Sequence, residues 1–303
     1  MKIAIDGLGK MGMQIAHRWA LANNTVIAHN RSPEKIDYAK EQFGAVPAYK
    51  KEDVVSNFQG EQVILWIMIP AESVEDELRE WIPILSPGDI IVDGGNSDFR
   101  NTKKHYEITK AAGIELLDVG TSGGVLGMEH GFSMMVGGDE AAYKIIEPAL
   151  EPLSTPEGGY QYFGPTGSGH FVKMVHNAIE YGIMESYAEG YRVLREGPYA
   201  NLDLAAAANV WQHGSIIASD LNGLNVQIMK ENPELTGIVG YVAENGEATW
   251  TLEVAKEKSI EMPSISAALD VRLESQKGTV SYTTKLLAAM RNKFGGHDLN
   301  KNG

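Results

Sequence analysis

Apolar runs and amphipathic stretches alternate along the first half of the chain. Met1 to about Gly7 is a short, nearly continuous apolar run, the pattern of a buried strand. Met11 to Ala22 carries Ile15, Trp19 and Ala22 at helical spacing, and Thr25–Asn30 is a second strand-like run. The alternation goes on through helices near Pro33–Phe43 and Lys51–Asn57 and a buried strand over Gln62–Ile69 that Pro70 ends. A helix over Glu72–Trp81, a strand over Asp89–Asp93, a helix near Asn101–Ala112 and a strand over Ile114–Val119 follow. Two shorter strands, Phe132–Gly137 and Tyr160–Phe163, flank a helix over Glu140–Leu150. After Gly164-Pro165-Thr166-Gly167 the strand pattern stops. Helical periodicity occupies Ser168–Arg195, Asp203–Trp211, Ile216–Lys230, Ala248–Lys258 and Pro263–Met290, the last broken near Lys277-Gly278. The polar, glycine-rich tail from Phe294 to Gly303 is not expected to be helical. Alternating strands and helices followed by helices alone predict an α/β domain over residues 1–165 and an all-α domain over 166–303.

The turn after the first strand reads Gly7-Leu8-Gly9-Lys10-Met11-Gly12, a G-x-G-x-x-G between a strand and a helix. In that setting the glycines let backbone approach a pyrophosphate, and the helix N-terminus supplies amides and partial positive charge. The first domain is therefore expected to be of Rossmann type, with Gly7, Leu8, Gly9, Met11 and Gly12 at a dinucleotide. An acidic residue at the end of the second strand would bind the ribose hydroxyls of NAD. Here the residues are Asn30-Arg31-Ser32, which can pair with a 2′-phosphate and favour NADP over NAD.

The stretch Gly169 to Tyr181 is the most unusual. As a helix it puts Lys173, His176, Asn177, Glu180 and Tyr181 on one face and Phe171, Met174, Val175, Ala178 and Ile179 on the other. An amine, an imidazole, an amide, a carboxylate and a phenol on one face differ from the repeated Lys and Glu of an ordinary solvated face. Two further loops, Gly94-Gly95-Asn96-Ser97 and Gly120-Thr121-Ser122-Gly123-Gly124, follow strands at the edge where such sheets bind ligands.

Composition narrows the reading. A net charge of −14 argues against nucleic acid, which needs a basic surface. The chain has no cysteine, which removes thiol catalysis and disulfides and fits a cytoplasmic setting. No segment is long and apolar enough for a membrane span, and Met1-Lys2-Ile3-Ala4-Ile5 enters a strand rather than a secretory signal. The histidines are scattered, so no metal site is expected.

Taken together, Gly7–Gly12, Asn30-Arg31-Ser32, Asp93-Gly94-Gly95-Asn96-Ser97, Ser122-Gly123-Gly124 and Gly169–Gly182 resemble the decarboxylating 6-phosphogluconate dehydrogenases. The likeness reaches on to Trp250-Thr251, Arg272 and the tail from Arg291 to His297, and the length is similar to the family's short form, which lacks a second helical repeat. The resemblance implies oxidative decarboxylation of 6-phosphogluconate to ribulose 5-phosphate with hydride transfer to NADP or NAD. It implies Lys173 as the base and Glu180 as the acid. Asn96, Ser122, Gly123, Gly124, His176 and Asn177 would hold the carboxylate and hydroxyls, with Asn96 also near the cofactor. Tyr181 and Arg272 would hold the phosphate. Arg291 and His297 would reach a neighbouring subunit of a homodimer or homotetramer. One departure stands out: before Trp250 the family has a glycine-rich run ending in a basic residue, whereas this chain reads Asn245-Gly246-Glu247-Ala248-Thr249. The chemistry suits these residue types. A lysine can take the hydroxyl proton when neutral and hold the enolate when charged, which asks for a pKa below the ordinary value of about 10.4. Two other readings fit the glycine turn: a dehydrogenase of a small unphosphorylated β-hydroxyacid such as 3-hydroxyisobutyrate, and a non-catalytic NADP sensor.

Overall fold

The computed structural model describes residues 1–199 and 201–299. The chain divides into two compact units, Met1–Met174 and Val175–Gly303.

The first unit is built on eight strands: β1 (Lys2–Asp6), β2 (Thr25–His29), β3 (Val46–Pro47), β4 (Ile64–Ile67), β5 (Ile90–Asp93), β6 (Glu115–Ser122), β7 (Ser133–Gly137) and β8 (Tyr160–Gly164). Their order is β3-β2-β1-β4-β5-β6-β7-β8. Pairing is parallel from β3 through β6, while β7 runs antiparallel to β6 and parallel to β8. The helices are α1 (Lys10–Leu21), α2 (Pro33–Phe43), α3 (Lys51–Phe58), α4 (Val74–Trp81), α5 (Phe99–Ala111), α6 (Gly127–His130) and α7 (Glu140–Leu150).

Strand side chains alternate between two cores, as a period of two requires. Ile3, Ile5, Val26, Trp66, Val92 and Val119 pack with Ile15 and Trp19 of α1 and Ile146 of α7. Ala4, Ile27, Leu65, Ile67 and Ile91 pack on the other side with Val54 and Phe58 of α3 and Leu78 and Trp81 of α4. The sheet is thus covered on both faces, and its order reverses between β1 and β4, where such folds bind ligands. Strand β3 and helix α6 were not expected from the sequence. Two residues and four are too few to show a period.

Helix α8 (Ser168–Glu196) begins in the first unit and continues into the second. Its first turn is held to the sheet: the Asp118 carboxylate on β6 accepts hydrogen bonds from the backbone N–H groups of Gly167 at 2.7 Å and His170 at 2.8 Å. A Cβ on Gly169 would lie 2.3 Å from the Met135 carbonyl oxygen, so only glycine lets the helix come this close.

The second unit continues with α9 (Leu204–Gln212), α10 (Asp220–Glu231), α11 (Glu247–Glu257), α12 (Pro263–Gln276) and α13 (Tyr282–Gly295). Asp203, Ser219 and Ser281 cap α9, α10 and α13 through side-chain bonds to Ala206, Asn222 and Thr284 N–H groups. The Ser219 cap explains why α10 starts at Asp220 and not at Ile216. The break at Gly278 is present, with φ +96° there. Helix α13 runs farther than the sequence predicts. Phe294 and Gly295 are helical, and Gly296 takes the left-handed cap. Residues 300–303 of the expected tail lie outside the described residues. No helix among the described residues is long and apolar enough to cross a membrane.

Candidate active site

The glycine turn sits between β1 and α1. Gly7 has φ +104°, and a Cβ there would lie 2.4 Å from the Met68 carbonyl oxygen; one on Gly12 would lie 2.0 Å from the Gly7 oxygen. Both positions are closed to any side chain by protein. Gly9 is different, because a Cβ there would meet nothing within 4 Å. Gly9 also leads into α1 with no side-chain cap and no acidic residue in the first turn. A bare backbone at a helix N-terminus, open on the side away from the protein, fits a pyrophosphate. Leu8 and Met11 lie at this turn, Leu8 buried and Met11 half-buried against the sheet's core.

Asn30 ties the turn to the end of β2. Its Oδ1 accepts from the Leu8 N–H at 2.8 Å, and its Nδ2 donates to the Ser32 carbonyl at 3.1 Å. Arg31 is exposed, and Ser32 opens α2 without using its hydroxyl as a cap. Beneath the turn, Asp6 accepts from the Trp81 indole at 2.8 Å. Burial, then the neighbouring Glu77, pushes its carboxyl up to about 7.

The two loops are built differently. Asp93, at the end of β5, accepts from the Gly95 N–H at 3.1 Å and the Ser97 hydroxyl at 2.8 Å. That shapes the loop which presents Asn96, whose Oδ1 is buried without a hydrogen-bond partner. Ser122 ends β6, and Gly123 and Gly124 follow with φ of +135° and +55°. A Cβ on Gly123 would lie 2.9 Å from the Phe132 ring.

Lys173 is 4% exposed. Its stem lies flat on Gly120 of β6, where an added Cβ would sit 2.3 Å from the Lys173 Cβ. Asp118 is two residues before Gly120 on the same strand and caps the helix that carries Lys173. One strand therefore fixes the lysine's height and its helix. Sequence reasoning passed over Asp118. The available signal was an acidic residue inside the apolar run Ile114–Val119.

The second unit holds its own cluster. Arg272 on α12 is 0% exposed and lies 3.5 Å from the centre of the Tyr181 ring on α8. Its Nε and Nη1 and the Tyr181 hydroxyl are buried without hydrogen-bond partners. Burial lowers the Arg272 pKa to about 10 and raises that of Tyr181. A buried cation beside a buried hydroxyl, both with unused donors, is suited to an anion. Arg291 on α13 is also buried. It donates to the carbonyl of Ala243, to Asn245 Oδ1 at 3.1 Å, and lies 3.4 Å from His297 Nε2. Burial lowers the Arg291 pKa, with Tyr181 and Glu180 opposing it. The family resemblance implies that Arg291 and His297 reach a neighbouring subunit; these are the bonds they make within their own chain. Asn177 donates to Glu247 Oε1 at 2.9 Å, and its Oδ1 lies 2.9 Å from His176 Nδ1. The departure at Asn245 and Glu247 is thus spent on internal partners, Arg291 and Asn177. Among the described residues, no group of three or more His, Cys, Asp or Glu side chains is placed to hold a metal ion.

Comparison with known proteins bears on both units. Residues 2–164 match the model for the NAD binding domain of 6-phosphogluconate dehydrogenase, and residues 169–280 match the model for the C-terminal domain of that enzyme. YqeC of Bacillus subtilis (strain 168) is 39% identical over 301 residues, which are 99% of this chain and 100% of that protein. The NAD(+)-dependent, decarboxylating 6-phosphogluconate dehydrogenase of Haloferax volcanii is 36% identical over 99% of this chain and 98% of its own length. A solved structure of Plasmodium falciparum 6-phosphogluconate dehydrogenase, described with its cofactor NADP+ and its substrate 6-phosphogluconate, superposes with a TM-score of 0.82 at 28% identity; the match covers 99% of this chain and 66% of that one. With both family models matched in order and two relatives aligned over nearly their whole length, the chain belongs to the 6-phosphogluconate dehydrogenase family of nicotinamide-dependent oxidoreductases.

Proposed function

We propose that this chain oxidises and decarboxylates 6-phosphogluconate to ribulose 5-phosphate and carbon dioxide, and that it prefers NADP. The observation that carries the substrate is the Arg272–Tyr181 pair. A fully buried guanidinium with two unused nitrogens beside a buried, unbonded phenol is costly unless an anion completes it. Tyr181 lies on α8, the helix that also carries Lys173.

Lys173 takes the proton of the 3-hydroxyl as general base. The Gly7–Gly12 turn would hold the pyrophosphate of the dinucleotide, with Asn30, Arg31 and Ser32 toward the ribose that carries the 2′-phosphate, and the nicotinamide would supply the hydride acceptor for carbon 3. The resulting β-keto acid loses carbon dioxide, and the Lys173 ammonium holds the oxygen on which charge develops. Glu180 then gives a proton to carbon 2 of the substrate, which becomes carbon 1 of the ribulose product. Asn96, Ser122, Gly123 and Gly124 hold the carboxylate end, His176 and Asn177 the hydroxyls, and Tyr181 and Arg272 the phosphate. Arg291 adds positive charge on the phosphate side, with His297 beside it. The assembly is a homodimer or homotetramer, and it works in the cytoplasm.

NADP preference follows from an amide where an acid would repel a 2′-phosphate, and from the exposed Arg31 next to it. The test of the substrate reading is Arg272→Met, assayed with 6-phosphogluconate. The KM should rise by about 100-fold or more, the scale of a lost charged hydrogen bond pair. The melting temperature should hold or rise, because a buried uncompensated charge is removed. An unchanged KM would favour a small unphosphorylated β-hydroxyacid as substrate. No turnover of any hydroxyacid by the unaltered protein would favour an NADP sensor.

A further inference from the structure

Glu247 is the first residue of α11, and it is 2% exposed. The turn before it has no room for a side chain. Gly246 has φ +101°, and a Cβ there would lie 2.4 Å from the Trp250 ring. The Gly246 N–H donates to Glu244 Oε1 at 2.8 Å, and the Thr251 hydroxyl donates to the Glu247 carbonyl at 2.7 Å. A helix N-terminus favours the ionised carboxylate.

An ionised carboxylate only accepts hydrogen bonds. Glu247 Oε1 receives one from Asn177 Nδ2 at 2.9 Å. That fixes the amide, because the flipped form would set its oxygen against the carboxylate. Asn177 Oδ1 then faces His176 Nδ1 at 2.9 Å. An amide oxygen donates nothing, so Nδ1 must carry a hydrogen. In the neutral imidazole the lone pair is then on Nε2.

We propose that Glu247 is a positioning residue that acts through Asn177 to fix the His176 tautomer, making Nε2 an acceptor for a substrate hydroxyl. The tautomer stands on the geometry alone; the hydroxyl part rests on the sugar-acid reading above. The relay gives a carboxylate a task beside an anion-binding cluster, where its charge would otherwise oppose the ligand. It also makes Asn177 the link between the carboxylate and the imidazole.

The test uses the full chain with ¹⁵N-labelled histidine and long-range proton–nitrogen correlation, recorded without substrate. His176 is identified by the signals that vanish in His176→Gln. Its neutral ring should carry the proton on Nδ1. Glu247→Leu, which offers no acceptor, should move that proton toward Nε2, and Glu247→Gln, which keeps an oxygen, should retain it on Nδ1. In Glu247→Leu the KM for 6-phosphogluconate should rise about 3–10-fold with kcat changed less than about twofold, the size of one lost neutral hydrogen bond. A proton on Nε2 in the unaltered protein overturns the proposal, even if Glu247→Leu fails to fold. So does a proton that stays on Nδ1 in Glu247→Leu. A tautomer that moves without any change in KM overturns the hydroxyl assignment. Absence of turnover with 6-phosphogluconate would defeat the substrate reading instead, and the ligand-free spectrum would still decide the tautomer.

Discussion

Replacing Gly120 by alanine adds one methyl group directly under Lys173. The new carbon would lie 2.3 Å from the Lys173 Cβ, 2.9 Å from its Cγ and 3.1 Å from the Gly169 carbonyl oxygen. Ordinary carbon–carbon contact is about 3.5–4.0 Å, so helix and strand must part by roughly 1.2–1.7 Å at that point. The contact is with backbone-proximal atoms, and the lysine stem has no freedom to swing clear. Overpacking of this kind costs about 1–3 kcal/mol. In a unit of this size that lowers the melting temperature by roughly 2–12 °C. The functional effect is larger, since a misplacement of about 1 Å at a reacting group costs on the order of 100-fold in rate. Steady-state kinetics with 6-phosphogluconate should therefore show kcat reduced about 100-fold. Cofactor affinity, measured by fluorescence titration, should change less than about twofold, because the Gly7–Gly12 turn lies on β1 and α1. A Gly120→Ala protein with unchanged melting temperature and kcat within about threefold of the original would refute the claim that β6 sets the position of Lys173. A lowered melting temperature with unchanged kcat would bear out the tight packing at Gly120 and refute the role of the lysine.

Two other outcomes follow from the same geometry. Arg31→Asp should lower kcat/KM with NADP by about 10–100-fold while that with NAD holds or improves, the range for a lost charged hydrogen bond; a chain that favours NAD before the change would overturn the NADP preference. Glu185, on α8, is buried with both carboxylate oxygens unbonded, and burial, then Glu189, pushes it up to about 7. The native state thus holds a proton that the unfolded state has lost, so stability present below about pH 4.5 declines as the pH rises through about 7. Glu185→Gln should flatten the melting temperature across that window and raise it at the upper end; a pH profile parallel to that of the unaltered chain would count against the buried acid.

What was readable in the sequence was local. The Gly7–Gly12 turn announces itself because strand, glycines and helix are contiguous. Helix α8 is recognisable because its polar and apolar residues separate at helical spacing within one stretch, and the end of α12 near Lys277-Gly278 is marked by a glycine. The site's supports were hidden because they join distant positions. Asp118 reaches Gly167 and His170 across a sheet–helix contact, and Glu247 reaches Asn177 between two helices. Neither residue has a neighbour in sequence that gives its partner away. The reversal of β7 against β6 was equally out of reach, since an apolar run has no direction. The placement of Arg291 within its own chain depends on where α13 packs, and Ala243 and Asn245 lie far from it in sequence.

Lys173 is the proposed base, and replacing it with methionine removes the amine while keeping an unbranched stem. Methionine fits the same slot over Gly120 without the amine. With saturating 6-phosphogluconate and cofactor, reduced nicotinamide and carbon dioxide should form in equal amounts in the unaltered chain. In Lys173→Met both should fall together by about 10²–10⁴-fold, with cofactor binding retained. Turnover within about tenfold of the original, or reduced nicotinamide forming without carbon dioxide, would contradict the assignment of Lys173 as the base for an oxidative decarboxylation.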